Sequence, residues 1–489
     1  MNLCDDTTIE FTPQPGLGAP VWLGRAPSGE DLKEFAAAAH LTGGRIAAIW
    51  GADCRQRGDG YRLHCVFGIG GGHAWVHLDL PAADPVYPDL SAIFPAANRM
   101  QRATRDMVGI ATAGGDQRPW LRHGAWPADW YPLRHDTVHP AAGDSGFPNA
   151  PSDYEFVKVG GEGAHEIPVG PIHAGIIEPG HFRFSVVGER VLRLEQRLGY
   201  QHKGVEKLFI GADILRGAQL AGRISGDSTC AYAWAYAAAV EAACGIDAPP
   251  RALLLRALML ERERIANHLG DLGALGNDAA FAFGLTHFMR LKEDWLRLNQ
   301  RLFGHRFMMD RILPGGVAAD LDAPALAEIV EQCAAVGAEV AKLRELYDEH
   351  PGLQDRFATT GTIDMALARE LSLTGMAARG TGILLDGRVH RQGYTPPPPY
   401  AALGVRPVTD ERGDVAARVA VRFDEVFESL RLLRQIAVGM PSGGIRSDLA
   451  PAGGGSGLGV VEGWRGEVLV GVELANDGRL ARAHPHDPS

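Results

Sequence analysis

Two glutamates stand out for the chemistry they could do: Glu178, in Ile177-Glu178-Pro179-Gly180-His181, and Glu206, in His202-Lys203-Gly204-Val205-Glu206-Lys207. A carboxyl in such a place can pass protons once burial lifts its pKa toward neutrality. The plainer alternative is an ion pair, for Glu206 with Lys203 or Lys207. His173 and His181 could carry protons or donate hydrogen bonds, against a default of satisfied histidines beside a strand. The run Arg223-Ile224-Ser225-Gly226-Asp227-Ser228 presents two hydroxyls three residues apart. Serine is a hard donor that stays protonated near neutral pH, so the pair is poorly suited to a soft transition metal. Beside a helix start it suits caps. Asp386 and Arg388 read as a structural ion pair.

The elements that must position these groups fall into two parts. Residues 1–135 alternate apolar and polar positions in Arg45 to Trp50, Tyr61 to Phe67 and His73 to Leu80, with a helix-compatible stretch near Asp31 to His40. Asp136 to Ser152 is rich in Pro, Gly, Asp and Ser, which is a linker composition, and the linker is placed at 136–158. The second part, 159–489, opens with strands around Phe182, Phe184 and Val186, turning at Gly188-Glu189. Helices follow: an Ala-rich one from Cys230 to a terminating Gly245, and a new start at Asp247-Ala248-Pro249-Pro250. Apolar stripes through Leu285, Phe288, Trp295, Leu298 and Leu302, through Ile329, Cys333, Val336 and Val340, and through Val419, Phe423, Val426, Leu430 and Leu433 predict a helical core. Gly453 to Gly455 read as a loop and Glu467 to Leu474 as a final strand. Phe307, Met308 and Met309 read as core filling, and Gly315-Gly316 as a close backbone approach. The fold class is therefore α+β: an N-terminal α/β sandwich-like domain, then a mainly helical domain with an antiparallel sheet at its start.

At 489 residues the chain is long enough for two cores, and 46% apolar residues supply them. A net charge of −11 without a long like-charge run argues against nucleic acid as a partner. Six cysteines without a CxxC pair write neither a disulfide framework nor a zinc or iron-sulfur site, and a reduced, cytoplasmic setting fits. Asp5, Asp6 and Glu10 occupy the place where a signal peptide carries positive charge, and no apolar run reaches spanning length. Membrane association would have to come through partners.

Taken in order, Gly170-Pro171-Ile172-His173, Glu178-Pro179-Gly180-His181-Phe182-Arg183, the Glu206 segment and the Ser225 run form one set. It continues through Glu263-Arg264-Ile265 with His268-Leu269, Leu313-Pro314-Gly315-Gly316, Asp386-Gly387-Arg388 and Glu462-Gly463-Trp464-Arg465-Gly466-Glu467. This set resembles the large subunit of nickel-iron hydrogenases, in the membrane-bound, energy-converting branch related to the forty-nine-kilodalton-type subunit of complex I. Arg102, Asp106-Met107-Val108-Gly109-Ile110, Arg118-Pro119-Trp120-Leu121 and Trp130-Tyr131-Pro132-Leu133-Arg134 resemble the complex I thirty-kilodalton-type subunit, fused here to the N-terminal side.

The resemblance implies that Glu178, Glu206, His173 and Arg465 do the proton chemistry, with Arg223, Asp386 and Arg388 supporting the site. In active hydrogenases the arginine-led run supplies two cysteine thiolates, and a second pair lies near the C-terminus. Here Ser225 and Ser228 stand in the first two ligand positions, and the sequence ends at Ser489 without the second pair. No nickel-iron centre and no cofactor held by this chain are expected. An iron-sulfur cluster is expected in a partner, the twenty-kilodalton-type small subunit, beside membrane-arm subunits. Quinone, NAD(P)H or ferredoxin would be reached through the complex, on the cytoplasmic face of the membrane. The leading expectation is a subunit that couples electron transfer to proton transfer in a hydrogenase-like, NADH:quinone oxidoreductase-like complex. A non-catalytic scaffold is the alternative, and an active hydrogenase ranks last.

Overall fold

Strand Arg45–Asp53 is buried along nearly its whole length, although its sequence reads as a strand with one wet face. Both faces are covered because the sheet it belongs to is sandwiched. That sheet has five strands, in the order Phe11–Pro13, Val21–Arg25, Gly72–Leu80, Tyr61–Ile69, Arg45–Asp53, antiparallel except where Val21–Arg25 lies parallel to Gly72–Leu80. Helix Gly29–Leu41, started by Ser28 accepting from Asp31 N, and helix Ala97–Val108 cover one face. Phe35, Phe67, Leu63, Met107 and Ile110 fill the space between. The computed structural model describes residues 7–122, 126–127, 129–139, 154–173, 178–449 and 453–488, so most of the expected linker lies outside the described residues.

The other face of that sheet receives the end of the chain. Strands Ser456–Glu462, Glu467–Leu474 and Leu480–His486 form an antiparallel sheet with Glu467–Leu474 in the middle. Glu467–Leu474 is therefore a central strand, not the last one. Trp50, Val66 and Trp75 of the first sheet pack on Leu458, Val460 and Leu469. The two halves thus share a buried seam in addition to their chain connection.

Helix Thr229–Cys244 ends at Gly245, which adopts φ 64. Its successor, Pro250–Asp278, starts within the expected Asp247-Ala248-Pro249-Pro250 run, with Pro at the first position and Pro249 in the cap position. Helices Ala282–Phe303, Ala323–Glu349 and Val415–Val438 complete a core that contains Phe288, Trp295, Val340, Phe423 and Leu433. Hairpin His181–Val187 and Arg190–Arg197 turns at Gly188, φ 58, and pairs with His165–Val169.

The stretch read as a glycine loop has a more exacting role. A Cβ on Gly455, Gly457 or Gly459 would lie 2.1, 2.0 or 1.8 Å from the carbonyl oxygens of Ala243, Ala239 and Ala235. Alternate glycines on a strand, meeting every fourth alanine on a helix, let the two backbones touch. Gly316 likewise passes against Ile445 O, as the close-approach reading requires. Met308 is buried, but Phe307 is exposed, so the packing assignment holds for Met308 and not for Phe307. Among the described residues no helix is long and apolar enough to cross a membrane.

Candidate active site and its buried charge cluster

Ser225, Ser228 and Arg465 meet on one carboxylate, Asp227. Ser225 Oγ donates to Asp227 Oδ1 at 2.5 Å, Ser228 Oγ donates to the same oxygen at 3.3 Å, and Arg465 Nη2 reaches Oδ2 at 2.5 Å. Burial pushes the Asp227 carboxyl up, but Ser225 and Arg465 hold it below its ordinary range. Arg465 also lies over the Trp464 ring, 4.1 Å from its centroid. Arg223 faces away from this cluster and grips Asp310 with both terminal nitrogens, at 2.6 and 2.8 Å.

Neither serine caps the helix that follows. Ser228 holds the cap position of Thr229–Cys244 but makes no side-chain capping bond. Glu263, on the neighbouring helix, performs that task by accepting from Cys230 N at 2.6 Å and Ala231 N at 3.1 Å. Burial pushes Glu263 up to about 8, against those two backbone bonds. Asn267 ties the two groups together by donating to Asp227 O at 2.6 Å and Glu263 O at 3.0 Å. Cys230 is buried and its thiol is pushed well above the ordinary range, as a small residue opening a helix should be.

Glu206 is not paired with Lys203 or Lys207. Its partners are Arg482 and His484 of the last strand, with His484 Nδ1 at 3.0 Å. Burial opposes ionisation, but these two groups hold its carboxyl far below the usual range, so the upward shift expected of a proton carrier is absent here. Lys203 instead donates to Ile224 O at 3.0 Å. Glu178 is exposed, so this chain alone does not supply the burial its proposed chemistry needs. His173 is bonded to Gly180 O at 2.7 Å, and His181 to Gly170 O at 3.2 Å. These contacts close the loop between two strands.

Asp386 and Arg388 form the expected ion pair at 2.7 Å, but within a larger buried assembly. Arg388 reaches Glu261 at 3.0 Å, and Glu261 also accepts from Tyr400 at 2.7 Å and Ser429 at 2.6 Å. Arg379 bridges Glu425 at 2.7 Å and Glu462 at 2.8 Å. His268 Nε2 lies 2.8 Å from Glu425. Arg264 donates to the carbonyl oxygens of Glu462 and Gly463, at 2.5 and 2.7 Å, holding the turn that presents Arg465. Burial opposes ionisation of Asp386 and Glu425, yet the arginines keep both below the usual range. Glu462 goes the other way, raised by burial and by Asp386.

Asp227, Glu263, Arg379, Glu425 and Glu462 had no assigned role in the sequence. Glu263 and Glu462 sat inside recognised segments, and Asp227 sat between the two serines. Arg379 and Glu425 lie in separate helices outside the recognised segments, and only the fold brings them together.

Comparison with known proteins places this architecture. Residues 275–452 match the profile of the respiratory-chain NADH dehydrogenase 49 Kd subunit, and residues 29–142 that of its 30 Kd subunit. Formate hydrogenlyase subunit 5 of Escherichia coli (strain K12) is 31% identical over 413 residues, which is 82% of this chain and 71% of that protein. Hydrogenase-4 component G of the same organism is 30% identical over 452 residues, 90% of this chain and 76% of that protein. The fold aligns with a chain in the solved structure of the membrane-bound sulfane sulfur reductase, an archaeal respiratory membrane complex. That alignment has TM-score 0.62 and 24% identity, and covers 67% of this chain and 89% of that one. The chain belongs to the family of large subunits shared by membrane-bound hydrogenases and respiratory-chain NADH dehydrogenase, with 30-kDa-type and 49-kDa-type parts fused.

Proposed function

We propose that this chain is the large subunit of a membrane-associated complex that takes electrons from a partner iron-sulfur subunit and couples them to proton transfer, without a nickel-iron centre of its own. The observation that carries the reading is the Asp227 cluster. Both hydroxyls, Ser225 and Ser228, donate to a carboxylate that Arg465 also holds. Three oxygen donors already paired with one another and with a guanidinium do not fit a thiolate-held nickel-iron group. Cys230, the cysteine two residues after Ser228, is buried with its thiol pushed well above the ordinary range.

Electrons would enter through a neighbouring small subunit, because this chain has no paired cysteines to hold a cluster. The relatives are named as hydrogenase and hydrogenlyase components, which supports assembly with membrane-arm subunits on the inner face of a membrane. Asp227 and Arg465, partly exposed, would exchange protons at the former metal position. Retention of a large buried charge cluster behind them favours a working subunit over a scaffold, since unused buried charge is costly.

The test is purification of the intact complex from native membranes, with metal analysis, paramagnetic resonance and turnover of wild type and Asp227→Asn. The expected result is cluster signals from a partner, no stoichiometric nickel, and turnover reduced at least about tenfold in the variant. Nickel at one per complex, or dihydrogen oxidation, would overturn it.

A further inference from the structure

Four carboxyl groups, Glu261, Asp386, Glu425 and Glu462, are packed with only three guanidinium groups, Arg264, Arg379 and Arg388. The acids are 0, 2, 1 and 6% exposed and the arginines 0, 0 and 3%. Of the cations nearby, Arg422 pairs with Asp271 and Arg256 with Glu241, and Arg391 lies across the cavity over the Tyr394 ring, 4.5 Å from its centroid, without bonding any of the four acids. His268, fully buried, is held toward its neutral form by burial, so it donates to Glu425 without adding a charge. Within the cluster one negative charge is left over, away from bulk water. An uncompensated charge there is far costlier than a bound proton.

The donors show which oxygen takes that proton. Glu261 accepts from Arg388, Tyr400 and Ser429. Asp386 accepts from the Arg388 side chain twice and from Arg388 N at 2.9 Å. Glu425 lies between Arg379 and His268. Glu462 has the thinnest shell, one Arg379 nitrogen at 2.8 Å and a long backbone bond from Gly387 N at 3.2 Å. It also lines a cavity of about 50 Å³, bordered by Tyr394, Arg391, His73 and Glu467. That space can hold water between the cluster and the seam joining the two halves.

We propose that the cluster binds one exchangeable proton, carried by the Glu462 carboxyl and loaded through this cavity. The carboxyl Oε2 facing Gly387 forms the O–H bond, a hydronium ion reaching the cavity from solvent gives up the proton and is left as water, and no electron is transferred. Arg264 bonds the Glu462 and Gly463 carbonyls, so loading and unloading are felt three residues on, at Arg465 and its partner Asp227. Use of this proton in turnover rests on the function proposed above, but its presence does not.

Infrared difference spectroscopy on the purified full-length protein tests it, comparing wild type with Glu462→Gln in light and heavy water. Wild type should show a protonated-carboxyl band for Glu462 beside the one from Glu263, both shifting on deuteration, and E462Q should lose the first alone. The glutamine is neutral like the protonated acid, so E462Q should melt close to wild type. Glu425→Gln strips a needed negative charge and should melt lower by about 10 °C. The proposal is overturned if no band is lost in E462Q, if the proton signal belongs to His268 instead, or if E462Q melts as low as E425Q. A band present in a complex with no redox turnover would sink the function and leave the proton site standing.

Discussion

Trp50 and His484 stack face to face, ring centroids 4.8 Å apart and planes 11° apart. His64 covers the opposite face of the same indole at 4.9 Å and 10°. An indole of the N-terminal sheet is thereby clamped by the strand that ends the chain. Beside it, Glu467 accepts from His73 at 2.8 Å and from Arg45 at 2.5 Å. The turn bearing Glu462 and Arg465 lies between the first two C-terminal strands, so this seam sets where the site residues sit.

Trp50→Ala removes the centre of the seam. Deleting a buried indole should cost about 3–5 kcal/mol, seen as a lower urea midpoint. Hydrogen exchange should quicken first in Leu480–His486 and Ser456–Glu462. A variant within 1 kcal/mol of wild type would show that the seam is not a stabilising contact.

Gly459→Ala places a methyl 1.8 Å from Ala235 O, where neither backbone can yield cheaply. We expect a loss of about 3 kcal/mol from forced separation of strand and helix. The companion change Gly226→Ala, with nothing within 4 Å of the new methyl, should be nearly silent. Equal effects at the two positions would contradict the close approach.

Glu206→Gln breaks the pairing with Arg482 and His484, and should cost about 3 kcal/mol at neutral pH by leaving Arg482 uncompensated. Because the folded carboxyl titrates below its ordinary value of 4.5, its contribution is intact above that pH and is lost as pH falls below it. Acid melts of wild type and E206Q should therefore converge. Curves that stay parallel down to pH 2 would refute the assignment.

Glu263 has the opposite sign. The unfolded chain releases this proton near 4.5 and the folded protein near 8, so stability is full below 4.5 and declines as pH rises toward 8. The slope is at most about 1.4 kcal/mol per pH unit. Glu263→Gln should remove that slope, read from urea midpoints across the range. An unchanged pH dependence in the variant would assign the slope elsewhere.

Much of the fold was legible locally. The segments at Arg45, Tyr61 and His73 became strands although both faces of their sheet are covered, and the stripes through Phe288, Val340 and Phe423 became helices, because burial of one helix face imposes that spacing. Gly453 to Gly455 do lie outside the strands, but the close approach of Gly455, Gly457 and Gly459 to a helix backbone was not legible, because glycine signals a loop equally well as a strand pressed on a helix. At the candidate site, the ordered segments led to Ser225, Ser228 and Arg465 but not to Asp227, which organises them. For Glu206 neither the lifted carboxyl nor the alternative pairing with Lys203 or Lys207 holds, since side chains from the last strand are closer in space.

What the sequence determined by itself is donor chemistry and local geometry: hydroxyls at positions 225 and 228, no paired cysteines, helix and strand periods, and family membership. Tertiary structure alone decided which charges face one another. Glu261, Arg379, Glu425 and Glu462 come from separate elements and are brought together only when those elements pack. Titration depends on burial and on opposing charge, and neither is a property of neighbours along the chain.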